Sequence, residues 1–353
     1  MTKINILSQG RFHMLDLARE LDHTGFDIKF YSFIPTSRCI KFGLQKKCIV
    51  SLFGIIAPFL ILRRIFPKLS WIHIKVQDFI MGIFMRKCDI CISLTGYVYA
   101  PRIAQKKGAI IIMERGSKHI LEQKKILEKN PHKKNEAIPN RNIKCNLKAY
   151  QFANFISVAS QHVKESFLLH QYPENRIFVN PYGVDLSMFK PLPNIPKKYD
   201  VIMVGGWGYE KGCDLIVEAI RKTNYSFIHV GSIKDVDFPQ EKNFTHIDPV
   251  DQSKLIEYYN QAKVFILPSR QDGFGMVLSQ ALACNLPIIG SNNCGAPDLK
   301  KMVELPEYIT IIKDYTADAI VTAIHTAIKN YEQLGERIYA CLLYTSPSPR
   351  DVE

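Results

Sequence analysis

The chain has 353 residues and a formal charge of +13, which is too long for one small core and suits two domains of ordinary size. Residues 1–190 hold 30 Lys and Arg against 13 Asp and Glu, whereas the remainder holds 16 against 20, so the basic first half points to an anionic substrate or membrane surface or to a merely Lys-rich composition. No zinc-finger spacing, RNA-binding aromatic signature or basic recognition helix is present, so no nucleic-acid partner is expected, and nine cysteines behind a start (MTKINILSQG) without an apolar signal core imply reduced thiols in a cytosolic protein rather than a disulfide framework.

In chain order, KINILS (3–8) predicts a strand, and FHMLDLARELDHTG (12–25) predicts a helix that ends at Gly25. DIKFYSF (27–33) predicts the second strand. The apolar run IVSLFGIIAPFLIL (49–62) is 14 residues long, short of the roughly 20 that span a bilayer. Pro58 interrupts it, Lys46 and Lys47 precede it, and Arg63 and Arg64 follow. It fits either an interfacial helix dipping into an anionic leaflet or a buried helix pair. Strands follow at 90–96, 109–115, 155–160 and 177–183. Cys88 and Cys91 have CxxC spacing, but positions i and i+3 of a strand face opposite sides, so they read as core thiols and not as a metal site.

Three prolines in PLPNIPKK (191–198) mark a linker. The alternation then restarts, with strands at 199–205, 226–231, 264–269, 287–291 and 308–312. Helices are predicted from Cys213 to Lys222, over 253–262, after Phe274 and from about Thr316 to Tyr331. Continuous apolar strands separated by amphipathic helices predict parallel sheets covered on both faces. The expected fold class is α/β, with two Rossmann-like doubly wound lobes facing across a cleft, a first domain over 1–190 and a second over 191–340. The ending CLLYTSPSPRDVE (341–353) reads as an appended non-native tail, because Ser-Pro-Ser-Pro cannot continue a helix.

Ligands of open parallel sheets bind beyond the carboxyl ends of the strands. There the chain places Gly205-Gly206-Trp207-Gly208 and then Lys211 at a helix start. Bare backbone, a helix dipole and an ammonium group suit a diphosphate, although a plain turn with a solvated lysine has the same sequence. The stretch RQDGFGMVLSQALACN (270–285) sets Asp272 before Gly273, Phe274 and Gly275, then opens a helix carrying Met276 and Gln280 on one face. Asp272 either caps that helix or accepts hydrogen bonds from a polyol. Gln280 can both donate and accept, which suits vicinal hydroxyls.

The strings VGGWGYEKGCDLIVEA (204–219), PSRQDGFGMVLSQALACNLPIIGS (268–291) and NPYGVD (180–185) together resemble a family 4 glycosyltransferase of the GT-B fold. The resemblance implies retaining, metal-independent transfer of a sugar, of hexosyltransferase type, from a UDP- or GDP-type nucleotide-sugar. The acceptor it implies is a glycan or a lipid-linked molecule, as in cell-surface polysaccharide or glycolipid synthesis, with no cofactor. The nucleotide-sugar is itself a substrate.

By that resemblance Lys211 neutralises the donor diphosphate, Asp272 contacts the donor sugar, Gln280 holds the ribose, and the amides of Gly273, Phe274 and Gly275 face sugar and phosphate. Val250, with Val230, Gly231, Asp248 and Pro249, falls where the base is held mainly by backbone. Gly206 stands where the family commonly has an arginine, and Arg270 is the expected replacement. In the first lobe, SQGRFH (8–13) matches the glycine loop, with Gly10 near the diphosphate and Arg11 and His13 toward the cleft. In ERGSKHI (114–120), Arg115, Ser117 and His119 are candidates for the sugar or acceptor side. The basic first lobe suits peripheral attachment to the inner face of a membrane. The competing expectations are a non-transferring GT-B enzyme, either a nucleotide-sugar epimerase or a phosphorylase, and a catalytically weak nucleotide-sugar-binding protein.

Overall fold

The computed structural model describes residues 1–131 and 138–334; the expected tail at 341–353 and the last residues of the expected second domain lie outside them. The first lobe runs β1 (Lys3–Leu7), α1 (Phe12–His23), β2 (Asp27–Ser32), α2 (Thr36–Lys41), β3 (Ile49–Ser51), α3 (Phe53–Ile65), α4 (His73–Phe84), β4 (Ile90–Leu94) and α5 (Tyr99–Lys106). It continues with β5 (Ile110–Arg115), α6 (Ile120–Leu127), α7 (Asn140–Phe152), β6 (Phe155–Val158), α8 (Gln161–Leu168) and β7 (Ile177–Val179). The second lobe runs β8 (Tyr199–Val204), α9 (Cys213–Arg221), β9 (Phe227–Val230), β10 (Phe244–Ile247), α10 (Gln252–Asn260) and β11 (Ala262–Leu267). It closes with α11 (Met276–Ala283), β12 (Ile288–Ser291), α12 (Ala296–Met302), β13 (Ile309–Ile312) and α13 (Ala317–Leu334).

Both sheets are parallel, with orders β3-β2-β1-β4-β5-β6-β7 and β10-β9-β8-β11-β12-β13. In each, the first strand of the lobe lies in the middle and the chain winds outward to one edge and then to the other. The order therefore reverses between β1 and β4, and again between β8 and β11. Loops leaving those strands splay apart at their carboxyl ends and open a crevice. The central strands are buried on both faces, Val201–Val204 and Val264–Leu267 among them, which is why they read as unbroken apolar runs.

Two edge strands escape the sequence pattern. The apolar run at 49–62 is neither one helix nor a buried pair: it opens as β3, turns at buried Leu52, and continues as α3 with Pro58 inside. β10 is four residues, FTHI, too short and too polar to register as an apolar run. The eight described cysteines are free thiols, seven of them buried, Cys88 and Cys91 included, as expected of core thiols.

The lobes touch where the segments after β5 and β6 meet the segments after β11 and β12. Ser160 Oγ donates to the Gly273 carbonyl at 2.5 Å, Lys118 Nζ donates to Asn293 Oδ1 at 2.7 Å, and the Gln161 N–H donates to Asp298 Oδ1 at 3.1 Å. Phe189, just before the proline linker, is buried in the second lobe's core.

Candidate functional site

The loop after β8 carries Gly205, Gly206 and Gly208 up to Lys211 and into α9. The loop after β11 carries Arg270 to Gly275 into α11. These are the two strands between which the second sheet changes direction, so the loops face each other. Lys211 Nζ meets Asp272 Oδ2 at 2.5 Å, with the two side chains 20% and 18% exposed. Burial alone would lower the Lys211 pKa, but the carboxylates of Asp272 and Glu210 outweigh it and hold that pKa above its ordinary value.

Asp272 is not a helix cap. The N-cap of α11 is Gly275, at φ 78°, and no side chain bonds the first amides of that helix. A non-glycine residue would be strained there, so the glycine keeps the end of α11 bare. Phe274 is buried against Gly295 and edge-on to Tyr182 at 5.7 Å, so this residue can offer a ligand only its backbone. Gln280 is 6% exposed and its Oε1 accepts from Tyr259 Oη at 3.0 Å, which fixes the side chain and leaves the amide N–H groups as its available donors.

Arg270 does not stand in for the arginine replaced by Gly206. Its guanidinium grips Asp214 through two bonds of 2.6 and 2.7 Å, donates to the Tyr209 carbonyl, and lies 3.8 Å from the Tyr209 ring centroid. A cation so committed holds two second-lobe loops together. Lys234, in the loop after β9, occupies the space instead. A side-chain carbon added at Gly206 would lie 2.4 Å from its Cε and 2.9 Å from its Nζ. Glycine at 206 is what lets this lysine fold over the loop, and the lysine is exposed and has no carboxylate partner among the described residues. Val250 packs against the second lobe's core beyond β10. Gly205 lends its carbonyl to buried His229 at 2.8 Å.

A cavity of about 670 Å³ lies in the cleft, lined from the first lobe by Arg11, His13 and Glu114, from the link by Tyr182, and from the second lobe by Met276 and Gln280. Arg11 lies 3.6 Å from the Phe42 ring centroid, and Ser8 Oγ donates to the Gly10 carbonyl, which shapes the glycine loop. His13 stacks on Tyr182 at 4.1 Å, and its Nε2 is 3.2 Å from Glu114 Oε1, although misaligned for a hydrogen bond. Tyr182 Oη donates to the same carboxylate oxygen at 3.0 Å. Burial and that carboxylate push the Tyr182 pKa well above its ordinary value.

Two first-lobe expectations are corrected. Arg115 is buried and spends its donors on the Lys118 carbonyl, Gln123 and Asn146. His119 is buried too. It caps α6 and stacks on His170 at 4.1 Å, and burial, then His170 and Arg115, push its pKa down to about 3. Neither side chain lines the cavity. Ser117 sits at the lobe contact, its N–H 3.1 Å from where a Gly273 side chain would start. The residue missed in that segment is Glu114, 2% exposed at the end of β5. Its signal was a carboxylate that follows four apolar residues near the carboxyl end of the strand IIIMER. Lys118, which bridges to the second lobe and whose pKa burial lowers, was missed as well.

Among the described residues no three His, Cys, Asp or Glu side chains gather as metal ligands. Residues 187–340 match the family model of glycosyl transferases group 1. A probable sucrose-phosphate synthase of Thermosipho melanesiensis is 25% identical over 219 residues, 54% of this chain and 50% of that protein. An uncharacterized 41.2 kDa protein in the cps region of Klebsiella pneumoniae is 30% identical over 140 residues, 36% of this chain and 39% of that protein. The chain thus spans half the length, or less, of these relatives. The structure of Anabaena Alr3699/HepE in complex with UDP and glucose superposes with a TM-score of 0.64 at 12% identity, covering 96% of this chain and 92% of that one. The second lobe thus matches glycosyl transferases group 1, and the two lobes together carry the GT-B fold.

Proposed function

We propose that this protein is a retaining, metal-independent glycosyltransferase of hexosyltransferase type. It would move a sugar from a UDP-type nucleotide-sugar to a glycan or lipid-linked acceptor in cell-surface polysaccharide or glycolipid synthesis, at the inner face of a membrane. The observation that carries the reading is the Lys211–Asp272 pair, set at the second sheet's crevice beside the bare N-terminus of α11. The fold neighbour solved with UDP and glucose supports a UDP-type donor.

The hard step is departure of the nucleoside diphosphate from the anomeric carbon. Its phosphate oxygens gain negative charge as that bond breaks, so donors fixed in advance lower the barrier. Lys211 supplies one full charge, Lys234 over Gly206 a second, and the free amides at the start of α11 partial charges. When the diphosphate takes Lys211, Asp272 is released to accept hydrogen bonds from the sugar hydroxyls. Gln280 donates to the ribose. Across the cleft, Glu114, braced by Tyr182 and His13, meets the other side of the sugar. The acceptor oxygen bonds the anomeric carbon on the face the diphosphate leaves, and its proton passes to the departing phosphate oxygen. No side chain acts as a covalent nucleophile in this scheme.

The test is a panel of nucleotide-sugars read by nucleotide release, with and without membrane extract. Release from a UDP-sugar that rises with extract is expected. Absence of binding and turnover with every donor overturns the reading.

A further inference from the structure

α3 is apolar on all sides, FGIIAPFLILRRI, and a helix of that kind is ordinarily buried. Here only Ile56 is buried, with Phe59 and Leu60 partly packed on the core. Phe53, Ile55, Ile61, Leu62 and Ile65 are 40–64% exposed. α4 repeats the pattern: Met81 and Gly82 face inward, while Ile74, Phe79, Ile83 and Phe84 are 41–58% exposed. The helices are joined by a short turn, and Phe59 stacks on His73 at 6.0 Å. Of the 18 large apolar side chains exposed among the described residues, ten lie between Phe53 and Phe84. Such clustering marks a surface that something covers.

The charge around this hairpin identifies the cover. From Lys46 to Lys87 the chain has eight Lys and Arg and one carboxylate, Asp78. Asp78 is withdrawn from the surface: it is buried and accepts the amides of Val98, Tyr99 and Ala100 at 2.7–2.8 Å at the start of α5. Of these cations Lys47 and Arg86 meet acids from outside the segment, Asp22 at 3.5 Å and Asp27 at 2.8 Å. The exposed face therefore combines apolar side chains with Arg63 and Arg64 in the last turn of α3, and the one acid within the segment is turned inward. An anionic leaflet supplies acyl chains and negative headgroups together. At 13 and 12 residues the helices fall short of the roughly 20 needed to cross a bilayer, and no described helix is long and apolar enough to cross a membrane. α3 begins at the carboxyl edge of the first sheet, where the His13 and Glu114 loops emerge, and β3 lies two strand spacings from β1, about 10 Å.

We propose that the α3–α4 hairpin docks this protein onto an anionic phospholipid bilayer, lying in the interface and turning the open side of the cleft toward the membrane. This deepens the acceptor half of the function proposed above and rests on it for what is glycosylated. The test is flotation of the full chain with vesicles of phosphatidylcholine alone or mixed with phosphatidylglycerol, with donor turnover measured in parallel. The chain is expected to float with the mixed vesicles, to release as salt rises, and to bind neutral vesicles more weakly by about tenfold or more. The pairs Ile61→Glu/Ile65→Glu and Arg63→Glu/Arg64→Glu each abolish flotation while hydrolysis of soluble donor is unchanged, which shows that both variants fold. No flotation with anionic vesicles, retained flotation of both variants, or a dimer in solution broken by the same variants overturns the proposal. Vesicle binding without turnover of any donor leaves the docking standing and removes the transferase reading instead.

Discussion

Lys211 and Asp272 satisfy each other across the space between two facing loops, Nζ to Oδ2 at 2.5 Å. The pair keeps an ammonium charged despite burial and holds a carboxylate away from solvent until a more strongly charged guest arrives. A diphosphate carries more negative charge than one carboxylate, so the exchange of partners is favourable only for an anionic ligand.

Lys211→Ala is expected to lower kcat by about 10²–10³, the usual effect of removing one fixed donor from a developing anion. Lys211→Arg should recover part of this, since charge is kept while geometry changes. Asp272→Asn should raise KM for the donor more than it lowers kcat. Steady-state nucleotide release checks all three, and Lys211→Ala turning over at the wild-type rate removes its assignment.

Lys234 and Arg270 should separate cleanly. Lys234→Ala removes a cation beside the glycine loop and is expected to raise donor KM by roughly tenfold with no change in thermal unfolding. Arg270→Ala breaks a two-bond contact to half-buried Asp214. It is expected to cost about 2 kcal/mol of stability, seen as a lower denaturant midpoint, whatever its effect on turnover. Donor KM unmoved in Lys234→Ala returns the diphosphate to Lys211 alone.

Most of the architecture was legible because parallel strands buried on both faces must be apolar throughout, as in YDVIMV and AKVFIL. The edge strands β3 and β10 were not, since a short edge strand has no such obligation. At the site, glycines and charges beside strand ends located both second-lobe loops. Sequence could not say where long side chains turn after leaving the backbone. Arg270, Arg115 and His119 had the right chemistry but fold away into local hydrogen bonds and stacking, whereas Lys234 reaches in from a loop 28 positions after Gly206. Glu114 sat inside a stretch already assigned to strand, and its value depends on Tyr182 meeting it from 68 residues further on.

Gly273 tests the lobe contact. A side-chain carbon there would lie 2.1 Å from the Gly116 carbonyl oxygen in the other lobe. Gly273→Ala should therefore leave each lobe folded while forcing the pair apart. A larger radius of gyration by solution scattering, with donor KM raised and far-ultraviolet circular dichroism unchanged, is the expected result. An unchanged radius and KM would mean that the loops yield without cost.

The buried histidines are expected to weaken the fold as pH falls below neutrality. Burial, with neighbouring positive charge or a second histidine, pushes His119 down to about 3 and His162 and His229 to about 4. The unfolded chain binds those protons near pH 6.5, so each group contributes stability that is complete above about pH 6.5 and is lost as pH falls toward the folded value. At most each adds roughly 1.4 kcal/mol per pH unit in that window. Denaturant midpoints are therefore expected to be flat near neutrality and to fall steeply between about pH 6 and 4. His229→Gln can keep the bond to the Gly205 carbonyl but not the titration, so it should lessen the slope by one proton. A midpoint in His229→Gln that falls as steeply as in the wild type would assign that weakening to other groups.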